Sequence, residues 1–390
     1  MRIAMIGQRG MPATFGGIER HVEELGAELV ERGHDVTVFC RPYYVPDRPV
    51  CHRGVALRYL PTVSTKHFDA ICHSGLSTAA ALARRFDIVH YHALGPGLLA
   101  PLPRWLSSAK VVLTVHGRDD QRAKWGVTAR SVLRTASWMS ARVPDATIVV
   151  SKELDLFYAS RYGRATDYIP NGVVSRERRP STALTRDLGL KRDRYLLFVG
   201  RLVPEKAPDL LIRAFRHVEG DLRLALVGGS SFSTSYVRQL RDLAAADPRV
   251  SLVGFQYGHA LDELYTNAAA FVLPSALEGL PLTLLEAGSF GAPIVASDIP
   301  PHLEILGNRD RPGRRIFASG DEAELVDAIR RAIDDPAGER AGADSFRGHI
   351  VAGYRWGDNA ERTEQVYRRI LRQPAGRFRA PEAAASGGTR

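Results

Sequence analysis

Apolar residues along the chain follow two rhythms. Short unbroken runs, each long enough for a buried strand, alternate with stretches whose apolar positions fall three and four apart. Arg2–Gly7 is the first run, and a helical pattern over 18–32 follows, with Val22, Leu25, Leu29 and Val30 on one stripe. Gly33 ends it, and Asp35–Cys40 is the next run. Strands are predicted again over 55–60, 88–92, 111–116 and 146–151, with helices between them, for example over 76–85 and 131–140. A polar linker over 176–180 precedes a restart. Strands then fall at 195–199, 222–227, 250–254, 270–274 and 293–296, with helices at 209–216, 261–265 and 321–333. Alternation of this kind predicts parallel α/β sheets, here two of them in succession. A last amphipathic helix over 354–371 carries Trp356, Ala360, Val366, Tyr367 and Ile370, and residues 373–390, rich in Pro, Ala, Gly and Arg, read as a disordered tail.

The chemistry concentrates in Glu278–Asp298, EGLPLTLLEAGSFGAPIVASD. It reads as loop, helix, tight turn and strand. Pro281 suits the first helical position, Leu282, Leu284 and Leu285 continue the helix, and Gly288 and Gly291 stop it. The peptide N–H groups around Gly279, Leu280 and Leu282 then lie at a positive helix end that can bind an anion. Glu278 precedes that end, and Glu286 follows eight positions later, a little over two turns of roughly 3.6 residues.

The glycine loop Gln8–Gly17 joins the first strand to its helix. It lacks G-x-G-x-x-G, but Gly16-Gly17 stands directly before the helix, where two residues without Cβ let a phosphate approach the backbone. In the second half, Arg201 and Lys206 occupy the loop after the strand over 195–199. A departing diphosphate needs cations from different directions, although paired loop cations are also common on plain surfaces. His116 sits at the carboxyl end of an apolar strand, where open α/β sheets bind ligands. His90 and His92 share a face of their strand; a metal pair is conceivable, no third ligand is in view, and no metal site is predicted.

Taken together these segments resemble the retaining glycosyltransferases of the GT-B fold, in the large family 4. The resemblance is carried by the Glu-x7-Glu spacing of Glu278 and Glu286, T-V-H-G-R-D over 114–119, I-P-N-G-V over 169–173 and G-R-L-V-P-E-K over 200–206. The opening I-G-Q-R-G-M-P-A-T-F-G-G-I-E over 6–19 is similar to a subgroup of bacterial polysaccharide and rhamnosyl-type transferases. It implies two Rossmann-like domains with parallel sheets facing a central cleft: 1–174 on the acceptor side, completed by a crossover helix over 354–372, and 175–353 on the donor side. It implies transfer of a hexosyl or deoxyhexosyl group, with retention, from a nucleoside-diphosphate sugar, UDP or GDP before others. The acceptor is a saccharide or lipid-linked glycan in bacterial surface glycan synthesis. Residue by residue, Glu278 contacts the donor sugar ring and Glu286 the ribose hydroxyls. Arg201 and Lys206 stabilise the diphosphate, Gly16 and Gly17 hold a phosphate, and His116 contacts the transferred sugar. Gly279, Leu280 and Pro281 line the donor, and Gly254 and Phe255 lie beside the base, with Phe255 as a core residue the alternative. No cofactor or metal is required.

Composition adds bounds. With 390 residues, 45% hydrophobic and 25% charged, the chain has material for two cores. Cys40, Cys51 and Cys72 form no framework and suit a reducing cytoplasm, and no apolar run approaches the roughly 18 residues of a membrane span. The net charge of +10 admits phosphorylated substrates, anionic lipid or nucleic acid. Nucleic acid is disfavoured, because no basic-aromatic interleaving is present. Arg118, Arg122, Lys124, Arg130 and Arg134 around Trp125 read first as a solvated helix face, as do Arg104-Trp105-Leu106; both admit peripheral contact with the inner membrane surface. Two other classes remain open: a non-catalytic nucleotide-sugar binder, and a dinucleotide-dependent oxidoreductase, which the missing fingerprint disfavours.

Overall fold

The protein is seen in a computed structural model that describes residues 1–62, 69–118, 127–182, 187–229 and 234–373, with the backbone alone for 127–133 and 234. Residues 119–126 of the basic segment around Trp125, and all but the first residue of the C-terminal tail, lie outside the described residues.

Strands β1 (Arg2–Ile6), β2 (Asp35–Cys40), β3 (Cys51–His52), β4 (Val55–Tyr59), β5 (Ile88–His92), β6 (Lys110–Val115), β7 (Ala146–Val149) and β8 (Asp167–Tyr168) form one sheet, ordered β3-β4-β2-β1-β5-β6-β7-β8. Strands β9 (Tyr195–Val199), β10 (Arg223–Val227), β11 (Val250–Gly254), β12 (Ala270–Leu273), β13 (Ile294–Ser297) and β14 (Arg314–Phe317) form the other, ordered β11-β10-β9-β12-β13-β14. We call the two halves the first and second lobes. All their ladders are parallel except β3 with β4. Central strands of parallel sheets are covered on both faces, so Ile3–Ile6 and Tyr195–Phe198 are fully buried. In each sheet the order reverses beside the first strand, β1 or β9. The loops that follow β1 and β9 therefore open into crevices at the carboxyl ends of the strands, which face each other.

The helix Gly17–Glu31 buries Val22, Leu25 and Leu29. The last helix, Trp356–Arg372, packs against it and brings Ala360, Val366, Tyr367 and Ile370 into the same core cluster as Ile3, Met5 and Val22. Two expectations for the central motif are corrected. Pro281 caps the helix Leu282–Phe290 from an extended conformation instead of beginning it. Gly288 does not stop that helix; a Cβ there would lie 2.9 Å from Ile350 Cγ1, so its role is close packing against the helix Pro336–Gly353. The stop is Gly291, at φ +66°, whose N–H bonds Gly288 O while Ala292 N bonds Ala287 O. The helices Lys152–Tyr162, Thr234–Ala245 and Pro336–Gly353 were not anticipated, and the one expected over 76–85 runs from Asp69 to Leu82. The segment 176–180 has no regular structure but is anchored: Arg176 pairs with Asp262 at 2.7 Å, and Arg178 with Phe290 O and Asp344.

Candidate active site

The second-lobe wall of the cleft is built on two loops that hold each other. After β12 the chain turns through Ser275–Glu278, and after β9 it makes a short 3-10 turn over Pro204–Lys206. The carbonyl of Glu205 accepts from Ala276 N at 2.9 Å, which fixes one loop on the other. Lys206 Nζ then donates to Glu278 Oε1 at 2.7 Å, and Ser275 Oγ donates to the same oxygen at 2.8 Å. Ser297 Oγ in turn donates to Ser275 O at 2.6 Å. Burial opposes ionisation of Glu278, but Lys206, with His302 and Ser275, outweighs it and holds the carboxyl below its ordinary range. Glu278 is therefore an anion with a fixed counter-ion. His302 behind it is driven down to about 4 by burial and is neutral. The loops after β9 and β10 meet closely: a Cβ on Gly228, at φ +133°, would lie 1.9 Å from Gly200 O. Arg201 follows Gly200 on this turn.

Glu286 differs. It lies one turn into its helix, accepts from Tyr265 Oη at 3.1 Å and lines a cavity with Arg20, Gly172, Arg176 and Trp356. Burial raises its pKa, and Arg20, Tyr265 and Arg176 offset this only in part. Arg20 belongs to the first lobe, so this carboxyl is addressed from both sides.

The first-lobe wall contributes backbone and imidazoles. Gly16 holds φ +109°, and a Cβ there would fall 1.9 Å from Glu19 Oε2, so no other residue fits the loop as it stands. Glu19 in turn accepts from Arg9 N at 3.1 Å. Gly17 faces the other lobe: its Cβ direction points at Leu282 Cδ1, 3.8 Å away, over the start of the Glu286 helix. The first turn of that helix has N–H groups without intrahelical acceptors. Contact is tightest at Gly279, where a Cβ would lie 1.8 Å from His116 O. Asn171 ties the walls together, its Oδ1 2.9 Å from His21 Nδ1 and its Nδ2 donating to Leu280 O at 3.0 Å.

Behind His116 stands a cluster that the sequence reading did not assemble. His92 Nδ1 lies 3.3 Å from His116 Nε2, and the His21 ring is edge-on to both. His90 stacks beneath His92 and contacts Thr114 Oγ1 and Tyr367 Oη. Burial pushes His21 down to about 4 and His90 to about 3, and His92 and His116 well below the usual range, so all four are neutral at pH 7. The conceivable pair of His90 and His92 is not what gathers here: both ring nitrogens of His90 are taken by Tyr367 and Thr114, and His92 is grouped with His116 and His21 instead. The signal for His21 was available in its position four residues, one helical turn, after Gly17.

At the outer edge Phe15 meets Phe255 with ring centroids 5.6 Å apart, and Phe255 stacks on Tyr257. Phe255 is 43% exposed, which removes the alternative of a core residue. Gly254 beside it turns at φ +77°. Gly17 and His116 thus meet Leu282 and Gly279 at the junction of the lobes, Lys206 pairs with Glu278 beside it, Glu286 lines the neighbouring cavity, Phe255 and Gly254 lie at the rim against Phe15, and Arg201 is on the loop after β9. Arg20, His21, Asn171 and Arg176 are additions to that set.

Comparison with known proteins gives two family matches. The profile described as Glycosyltransferase Family 4 matches residues 15–176, and that described as Glycosyl transferases group 1 matches residues 182–344. Alpha-maltose-1-phosphate synthase of Mycolicibacterium smegmatis is 26% identical over 393 residues, covering 95% of this chain and 100% of the relative. Sucrose-phosphate synthase from Thermosynechococcus elongatus superposes with a TM-score of 0.81 at 24% identity, over 95% of this chain and 99% of that one. The Anabaena protein HepE, solved with UDP-glucose, gives 0.78 at 18% identity, over 94% and 99%.

Proposed function

The chain belongs to the family 4 glycosyltransferases of the GT-B fold and acts on nucleotide sugars, and from that premise we propose a retaining transfer. The donor is a UDP- or GDP-linked hexose or deoxyhexose. The acceptor is a hydroxyl of a saccharide or lipid-linked glycan, in the assembly of a bacterial surface glycan. The observation that carries this reading is the partly buried Lys206–Glu278 pair beside Gly279, which packs against the His116 backbone at the junction of the lobes.

In this reading the bond between the anomeric carbon and the diphosphate oxygen breaks, and a bond to the acceptor oxygen forms on the same face of the sugar. The acceptor proton passes to the departing phosphate oxygen. Arg201 and Lys206 take up the charge that grows on the diphosphate, together with the amides at the start of the Leu282–Phe290 helix. Glu278, kept anionic by Lys206, accepts from sugar hydroxyls. Glu286 receives the ribose hydroxyls, and Gly16 and Gly17 let a phosphate approach from the first lobe. His116, neutral, offers a lone pair to a sugar hydroxyl. Phe255 flanks the base. Two cations and backbone amides are sufficient counter-charge for the leaving group, so the scheme calls on no metal or cofactor.

The test has two stages. A melting-temperature screen with UDP, GDP and ADP and their sugars identifies the donor. Transfer or hydrolysis of that donor is then measured in the wild type and in Glu278→Ala, with the anomeric configuration of the product read by NMR. Stabilisation by NAD and by none of the nucleotides would sink the transferase reading. An inverted product would sink retention, and binding without turnover would leave a nucleotide-sugar binder.

A further inference from the structure

We propose that His21, His92 and His116 form a binding site for one divalent transition-metal ion of the zinc class, set into the first-lobe wall. One ring nitrogen from each lies within 4.8 Å of the other two. His92 Nδ1 and His116 Nε2 are 3.3 Å apart, the spacing that two nitrogens take on a tetrahedral zinc with bonds of roughly 2.0–2.1 Å. The third nitrogen lies within 4.8 Å of both, so it reaches the spacing of such a site by a shift of about 1.5 Å or less.

The tautomer of His21 is fixed from outside. Asn171 donates its Nδ2 to Leu280 O, so its Oδ1 faces His21 and requires the proton on Nδ1. His21 Nε2 therefore carries a lone pair, and it is buried with no hydrogen-bond partner. Ligating histidines are oriented in this way, with the far ring N–H held by an oxygen. His92 differs: with Nδ1 turned to the site, its Nε2 is buried without a hydrogen-bond partner. His21 and His92 are buried while His116 is half-exposed, so an ion enters from the cleft and keeps its fourth position toward it. A set of imidazoles alone selects zinc, cobalt, nickel or copper over magnesium and calcium, which prefer oxygen.

An ion here occupies His116, which the proposed reaction assigns to the sugar. It is therefore an inhibitor of transfer and not a requirement; this consequence, unlike the site itself, rests on that reading.

The experiment titrates tag-free, chelator-stripped full-length protein with Co²⁺ and follows the visible absorption band of four-coordinate cobalt. One equivalent is expected to saturate it. His21→Gln and His92→Gln are each expected to weaken binding at least tenfold, while His259→Gln, on an exposed side chain, leaves it unchanged; metal-free melting curves show that each variant is folded. Absence of a saturable band, or a band that both cluster variants retain, overturns the site. Saturation with Co²⁺ that leaves the transfer rate unchanged overturns the inhibitory consequence alone.

Discussion

The two walls of the cleft handle burial in opposite ways. On the first-lobe wall four histidines, three of them buried, have no carboxylate hydrogen-bonded to their rings among the described residues, and burial strips their protons. On the second-lobe wall Glu278 is just as enclosed, yet Lys206 at 2.7 Å keeps it ionised. The difference shows that a partner within hydrogen-bond reach, and not the degree of enclosure, decides whether a group in this cleft carries charge. One wall is a polarisable, uncharged surface suited to hydroxyls. The other is a fixed array of charges suited to a leaving anion.

The strongest way to break this contrast is to remove the counter-ion. Lys206→Met is expected to lower kcat/KM for transfer by about 10²–10³, the usual cost of losing one stabiliser of developing charge. It also leaves Glu278 buried and unpaired, a destabilisation of about 3–5 kcal/mol by urea unfolding. The double variant Lys206→Met/Glu278→Leu should recover most of that stability and none of the activity. Recovery of both would mean the pair is merely structural. Next in size is Gly279→Ala. Its Cβ falls 1.8 Å from His116 O, so the walls must part; a kcat loss of about tenfold or more and a lower melting temperature are expected, and an unchanged enzyme would show that the contact is dispensable.

The contrast also predicts acid lability. A histidine whose folded pKa is depressed contributes stability that is present above its unfolded value near 6.5 and is lost as pH falls toward the folded value. For His21, at about 4, that loss reaches roughly 3 kcal/mol. Glu278, also depressed, adds its own loss at lower pH, as pH falls through its folded pKa. Melting temperatures between pH 7.5 and 4.5 should therefore fall less steeply in His21→Gln than in the wild type, and parallel slopes would refute the assignment. The smallest effect is expected at the rim. Phe255→Ala should raise KM for the donor about threefold to tenfold with kcat nearly unchanged, since base–aromatic stacking contributes about 1–3 kcal/mol and half of this ring is already wet.

Much of this was legible in the sequence because it rests on local rules. Most strands announce themselves as apolar runs, though the short or polar edge strands β3, β8 and β14 do not, and the Glu278–Glu286 spacing places both acids around one helix start. Long-range partners were not legible. Nothing in the Gly-Arg-Leu-Val-Pro-Glu-Lys run says that Lys206 reaches Glu278, 72 residues away, because that contact is made by the adjacency of β9 and β12. His21 looked like an ordinary helical residue until Asn171, 150 positions on, fixed its ring. Gly288 looked like a helix stop because glycine is read by conformation, whereas here it is needed for the approach of Ile350. Helices such as Pro336–Gly353 were missed because their glycines and charged residues dilute the apolar stripe.

The Trp356–Arg372 helix has a consequence for how the protein comes into being. Tyr367 closes the first-lobe core against His90, a separation of 277 residues, whereas the second sheet is assembled entirely from residues 195–317. On the ribosome the lobe made first thus waits, with its helical lid missing, until the lobe made second has emerged. A nascent chain paused before Trp356 would present a finished second lobe and a first lobe still open to chaperones.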